Sequence, residues 1–337
     1  MIKRCHGCGA VLQHERPELD GYIESEVQEK ATICKRCFRL RFYGDYVFVK
    51  KSDEEYENIL NRISQTGDLV IYMVDMFNIN NSELKNVDRL LNNPMILVLT
   101  KRDLIPKSVK DSKIIDYIRG FNLDVIDIIS ISGEKNYNID KLYKMILKHK
   151  KSNNVYIVGN TNAGKSSFIN KMIKNYSNDK AVITTSMLPS TTLDLLEIKL
   201  NDKLTLIDSP GLIDDGNIVN SYDYTILKKA LPKKEVKPRT YQIDPNHSLM
   251  IENLVQVDYV EGSRNSFTLY LSNELEVKNV GLNYNIKIYN PKKHSFVVNK
   301  GEDIVISGLG WIKIVNDGRV DVIVNEKVKV YKRDSVI

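Results

Sequence analysis

The sequence predicts a mostly parallel α/β sheet domain, preceded by a small cysteine-bearing module and followed by a smaller, mainly β domain. Three observations carry this. Apolar runs at 69–74, 95–99, 124–129, 155–158 and 204–207 have the length of buried strands, and helical stretches such as 82–91, 110–119 and 165–175 separate several of them. Strands alternating with helices imply a sheet covered on both faces. From residue 249 onward, stretches such as FTLYLS, FVVN, DIVISGL and VDVIVN suggest short antiparallel strands. The four cysteines all lie in the first 37 residues. A chain of 337 residues has room for two or three cores. The expected boundaries are 1–45 for the cysteine module, 46–215 for the α/β domain, 216–240 for a basic linker and 241–337 for the β domain.

Composition excludes some classes. A hydrophobic content of 42% with 27% charged residues is ordinary for a globular protein. No run reaches the roughly 18 apolar residues of a membrane helix, and MIKRCHGC lacks the apolar stretch of a signal peptide, so a cytoplasmic protein without a membrane partner is expected. The net charge of +6 leans toward an anionic partner, although an excess of this size also suits a solubilising surface.

The cysteines form two pairs, Cys5-x-x-Cys8 and Cys34-x-x-Cys37. Each pair offers two thiolates from one tight turn, and two such turns close a tetrahedral four-sulfur zinc site. A redox pair or two disulfides are the competing readings, weakened by the doubled motif and a reducing compartment. Around the second pair, KRCFRLRFYG interleaves Lys35, Arg36, Arg39 and Arg41 with Phe38, Phe42 and Tyr43. That pattern suits RNA phosphates and bases, or a solvated charged face over a small aromatic core.

The strongest motif is GNTNAGKSS at 159–167, which fits G-x4-G-K-[ST] directly after the strand 155–158 and before a helix. Its glycines let backbone amides curl around phosphates, with Lys165 reaching the β and γ phosphates and Ser166 ligating magnesium. Asn160, Thr161, Asn162, Ala163, Gly164 and Ser167 complete the expected loop. At 208–211, DSPG follows the strand 204–207 and matches D-x-x-G. There Asp208 holds magnesium through water and the Gly211 amide senses the γ-phosphate. Either Thr191 or Thr192 completes the magnesium shell, and Thr192 is favoured. Leu212 stands where a water-positioning glutamine often lies, so slow intrinsic hydrolysis is expected.

Base identity points to guanine. In TKRD at 100–103, Asp103 can accept from the N1 and N2 protons of guanine while the stem of Lys101 lies over the base. Thr100 occupies the usual place of Asn and can still donate one hydrogen bond. Ser132, Gly133 and Glu134 are expected to close over the guanine carbonyl. Asp75 ends the strand 69–74; a cap on the following turn is expected, with magnesium or water as the alternative. The guanine element thus precedes the phosphate loop, the reverse of the usual order. This is a circularly permuted P-loop GTPase domain, a rearrangement that keeps every contact when the old termini lie close together.

Together the two CxxC pairs, TKRD, GNTNAGKSS, PSTT at 189–192, DSPG, LPKKEVKPRTYQ at 231–242 and DIVISGLGWIKI at 303–314 resemble the YqeH family. These are circularly permuted GTPases with an N-terminal four-cysteine zinc finger. The resemblance implies a GTP-hydrolysing factor in assembly of the small (30S) ribosomal subunit, with that subunit and its rRNA as partners and no DNA. It also implies GTP/GDP, Mg2+ and Zn2+ as cofactors, and K+ held against the phosphates with help from Asn162. Thr100 in place of Asn and Ser190 in place of glycine depart from the pattern. A non-ribosomal regulatory GTPase, whose zinc finger and β domain bind another RNA or a protein, is the competing expectation. Beyond 215, Lys228, Lys229, Lys233, Lys234, Lys237 and Arg239 form a basic run read as a helix and linker, and Trp311 is expected to anchor a core.

Overall fold

The computed structural model describes residues 3–5, 10–17, 21–25, 31–35, 50–51, 53–177, 182–184, 195–212, 216–222, 224–281 and 286–337. Two compact units result. The first comprises residues 1–75, 82–102 and 122–213, the second 76–81, 103–121 and 214–337.

Through the first unit the elements are β1 (Lys50–Lys51), α1 (Asp53–Ser64), β2 (Leu69–Asp75), α2 (Asn81–Leu90) and β3 (Met95–Thr100). After α3 (Asp111–Arg119), which belongs to the second unit, come β4 (Asp127–Ser130), α4 (Ile139–His149), β5 (Asn154–Gly159) and α5 (Lys165–Tyr176). Strands β6 (Val182–Thr184), β7 (Leu196–Asn201), β8 (Leu204–Asp208) and β9 (Gly211–Leu212) complete it.

Seven strands form one sheet in the order β4-β3-β2-β5-β8-β7-β6, parallel from β4 to β8 and antiparallel beyond. Central strands are buried on both faces, so LVIYMVD and MILVLT read as unbroken apolar runs rather than alternating ones. LEIKLN, at a flank, alternates buried with more exposed residues. The run at 124–129 begins its strand only at Asp127, because Ile126 is exposed and Val125 turns back to the carbonyl of Leu123. From β2 the chain runs outward through β3 and β4, then crosses back to lay β5 on the other side of β2. The direction of winding therefore reverses between β2 and β5, and the crevice at their carboxyl ends is where ligands of such sheets bind. Outside the sheet, β1 pairs in parallel with β9, Lys50 opposite Gly211 and Lys51 opposite Leu212.

In the second unit, α6 (Tyr224–Ala230) precedes the strands β10 (Arg239–Ile243), β11 (His247–Ile251), β12 (Val255–Gly262), β13 (Asn265–Tyr270) and β14 (Val277–Gly281). Then follow β15 (Pro291–Val298), β16 (Glu302–Ile306), β17 (Gly310–Ile314), β18 (Gly318–Asn325) and β19 (Val330–Asp334). They form two antiparallel sheets, β10-β13-β17-β16-β19 and β14-β11-β12-β18-β15. Phe267 and Ile312 of one sheet share an apolar core with Leu249, Val257 and Val322 of the other, the packing of a β-sandwich. Ile218 and Ala230 enter the same core. Segment 235–237 is stitched down as well: Val236 is buried with its N–H donating to the Leu104 carbonyl, and the Lys237 N–H donates to Asn273 Oδ1. Trp311 is 1% exposed and stacks on Tyr270 at 4.6 Å, a core anchor as expected.

Candidate nucleotide site

The phosphate loop is shaped by backbone that side chains would resist. Gly159 leaves β5 with φ +150°, where a Cβ would meet the Met73 carbonyl oxygen at 2.4 Å, and Gly164 enters α5 with φ +86°. Asn162, between them, is left-handed at φ +61°, a conformation that asparagine tolerates better than most side chains. Lys165 is 2% exposed, and its ammonium donates to the carbonyls of Gly159 and Asn160. Burial pushes its pKa well below the ordinary lysine value. An ammonium on loop carbonyls at the first residue of a helix is an arrangement that suits a phosphate. Ser166 is half-buried in the first turn of α5, and Ser167 beside it is exposed.

Asp208 ends β8, buried, in register with Ile157 of β5. The Ser209 hydroxyl and N–H both donate to the Ile157 carbonyl, which fixes the chain just beyond it, and Gly211 enters β9. Lys165, Ser166 and Asp208 thus lie at the carboxyl ends of adjacent strands. An oxygen-donor set of one hydroxyl and one carboxylate fits magnesium, which keeps most of its waters and shares the rest with phosphates.

Along the same edge lie the residues expected at the base. Thr100, 3% exposed, has its hydroxyl 2.8 Å from the Ala163 carbonyl of the phosphate loop and 3.2 Å from the Val74 carbonyl. A hydroxyl has one proton, so the shorter contact is the hydrogen bond that matters. Thr100 thus ties the end of β3 to the phosphate loop through its single hydroxyl proton. Lys101 adopts φ +61°, and its ammonium pairs with Asp75 at 2.7 Å. Asp75 is thus an ion-pair partner of Lys101. The Arg102 N–H donates to the Ile131 carbonyl and draws the element toward the following loop. In that loop Ser132 is buried, with its hydroxyl accepting from the Lys135 N–H, while Glu134 is exposed. A Cβ on Gly133 would stand 3.1 Å from that of Ser167, so this loop lies directly on the first turn of α5. Asp103 sits half-buried on the 3-10 turn Arg102–Leu104, in the stretch that groups with the second unit.

Asn160, with Thr161 the start of the loop, donates through its amide to Glu83 at 3.3 Å. Glu83 carried no recognisable sequence signal, since its partner is 77 residues away. Thr191 and Thr192 lie outside the described residues.

Of the cysteines, Cys8 and Cys37 lie outside the described residues. Cys5 and Cys34 are both buried and cluster with Ile23, and the Cys34 N–H points at Cys5 Sγ across 3.1 Å. An amide aimed at a buried sulfur favours its thiolate, the form that binds a metal. The sulfur chemistry fits zinc.

Against known proteins, the family described as "50S ribosome-binding GTPase" matches residues 154–269. That match begins at the strand before the phosphate loop and leaves TKRD upstream of it, as the permuted order requires. YqeH of Bacillus subtilis (strain 168) is 35% identical over 361 aligned residues, covering 99% of each chain. NO-associated protein 1, chloroplastic/mitochondrial, of Arabidopsis thaliana is 25% identical over 93% of this chain and 70% of its own. GTPase grn1 of Schizosaccharomyces pombe is 28% identical over 51% of this chain and 41% of its own. The chain carries a GTPase domain with a mixed α/β sheet, followed by C-terminal antiparallel β sheets. Among the described residues no helix is long and apolar enough to cross a membrane.

Proposed function

The chain belongs to the YqeH family, and from that premise we propose that it is a cytoplasmic GTP-hydrolysing factor of ribosome assembly acting on the small subunit. The observation that supports it best is the ordered row along the sheet edge: TKRD beginning at the end of β3, GNTNAGKSS beginning at the end of β5 and Asp208 ending β8. In this reading Asp103 selects guanine, Lys101 covers the base, and Ser132 to Glu134 close over it. Asn160 through Ser167 cradle the phosphates, and Lys165 neutralises the charge that develops between the β and γ phosphorus atoms. Ser166, Asp208 and Thr192 would hold magnesium, which draws electron density from the phosphate oxygens. Asn162 would help hold potassium in the role of an arginine finger. With Leu212 in place of a water-positioning glutamine, the intrinsic rate is slow.

Cys5, Cys8, Cys34 and Cys37 bind one zinc ion and shape a basic, aromatic RNA-facing module. Residues 46–215 act as the switch, and the basic segment 216–240 and the β domain 241–337 contribute rRNA contacts. GTP state then governs association with the precursor subunit. The "50S ribosome-binding" description of the matched family favours a second reading, in which the large subunit is the target. Cosedimentation with separated 30S and 50S subunits, in GDP and in a non-hydrolysable GTP analogue at one salt concentration, tests both. Pelleting with 30S in one nucleotide state supports the proposal. Pelleting with 50S alone selects the second reading, and pelleting with neither leaves a non-ribosomal regulator.

A further inference from the structure

We infer that Asp75 is a positioning residue for the base site: it holds the ammonium of Lys101 so that the lysine stem lies where a guanine ring must stack. The inference rests on the reading of TKRD as the guanine element. Its basis is geometric. Asp75 is the last residue of β2 and stands beside Thr100 in the parallel register with β3. Its side chain is 9% exposed and pairs at 2.7 Å with Lys101, whose own side chain is 32% exposed. A carboxylate this deeply placed needs a partner, and a lysine this exposed has many rotamers to lose, so the pair fixes the mobile member more than the buried one.

The backbone is set for the same task. Lys101 sits at φ +61°, a left-handed conformation that is unfavourable for a residue other than glycine. Thr100 on the Ala163 carbonyl and Arg102 on the Ile131 carbonyl hold it from either side. With the backbone locked by its neighbours and the ammonium tied by Asp75, the four-carbon stem between them has little freedom left. That stem is the part a purine plane would touch.

Magnesium is the alternative use of a strand-end carboxylate, and the sheet order argues against it. β2 lies on the base side of β5, and Asp208 lies on β8, on the other side of β5. Two strand spacings, about 10 Å, separate the two strand ends.

The test is a double-mutant cycle in the full-length protein, read by fluorescent GDP binding and dissociation with and without magnesium. Asp75→Asn is expected to weaken GDP binding about tenfold, or about 1.4 kcal/mol, through faster release and to the same extent in both metal conditions. In a Lys101→Met background, which keeps an apolar stem without the charge, Asp75→Asn should change affinity less than about twofold, because the group it acts through is gone. Equal losses in both backgrounds, or no loss in either, overturn the inference, and a loss seen only with magnesium assigns Asp75 to the metal instead. Should Asp75→Asn fail to fold, Asp75→Glu serves, with a loss of about two- to threefold that again vanishes in the Lys101→Met background. Guanine preference of the unsubstituted protein separates the two levels. If GDP is not preferred over ADP, the base-site reading fails and takes this inference with it. If GDP is preferred but the cycle is additive, only the role of Asp75 fails.

Discussion

Thr100→Val removes one oxygen and keeps the shape of the side chain, which isolates the hydroxyl strut between the end of β3 and the phosphate loop. The Thr100 hydroxyl donates to the Ala163 carbonyl at 2.8 Å inside a 3% exposed site. Water has no room to replace it, so the Ala163 carbonyl loses its donor. A buried acceptor left without a partner costs about 1–3 kcal/mol, and no cavity term is added because valine fills the same volume. The Val74 carbonyl contributes little, since at 3.2 Å it holds the weaker share of one proton and already belongs to the sheet. Taking about 1–2 kcal/mol, the melting of the sheet domain should fall by roughly 2–8 °C. Part of the loss should appear in GDP affinity, because the strut sets the approach of Ala163 and Gly164, the two residues before Lys165. Thermal melting with and without GDP, together with fluorescent GDP titration, measures both. A midpoint within 1 °C of the parent and an unchanged affinity would refute the strut.

Metal analysis should find one zinc per chain, lost in Cys34→Ser; unchanged zinc in that variant removes the four-sulfur site. Asp103→Asn exchanges an acceptor for a donor and should shift preference from guanine to xanthine nucleotides in competition binding. Hydrolysis should run faster in potassium than in sodium, with Asn162→Ala erasing the difference. Lys165 gives a linkage prediction. Its depressed pKa means that, between that value and the ordinary one, the unfolded chain binds more protons than the folded unliganded protein, so stability rises with pH across that window. Phosphates favour the charged ammonium and reverse this. Nucleotide binding within that window should therefore take up protons, visible in calorimetry as heats that track the ionisation enthalpy of the buffer; buffer-independent heats would count against it.

How far the fold could be read from the chain depended on what each residue had to satisfy locally. Strands buried on both faces announced themselves, because LVIYMVD and MILVLT leave no position for a polar residue until the functional one at the end. The phosphate loop was legible for a similar reason, since glycines at 159 and 164 are demanded by backbone rather than by partners. Asp75 was not, because its meaning depends on Lys101, 26 residues away, and on a left-handed backbone that no composition reveals. The lysines of 228–237 hid Ala230 and Val236, two small apolar residues that fasten the segment to the second unit. Charge patterning reported the solvent side of that stretch and was silent about the other.

The short ladder between Lys50–Lys51 and Gly211–Leu212 has a mechanical consequence. Strand partners do not slide smoothly, because side chains alternate faces and a matched register returns only after two residues, about 6.6 Å of travel. A smaller excursion of Gly211 must either drag Lys50–Lys51 with it or snap the ladder altogether. Residues 50–51, which lead into α1, are thus tied to the same glycine that ends DSPG just beyond β8, so within the sheet unit the two segments keep one register or lose it together.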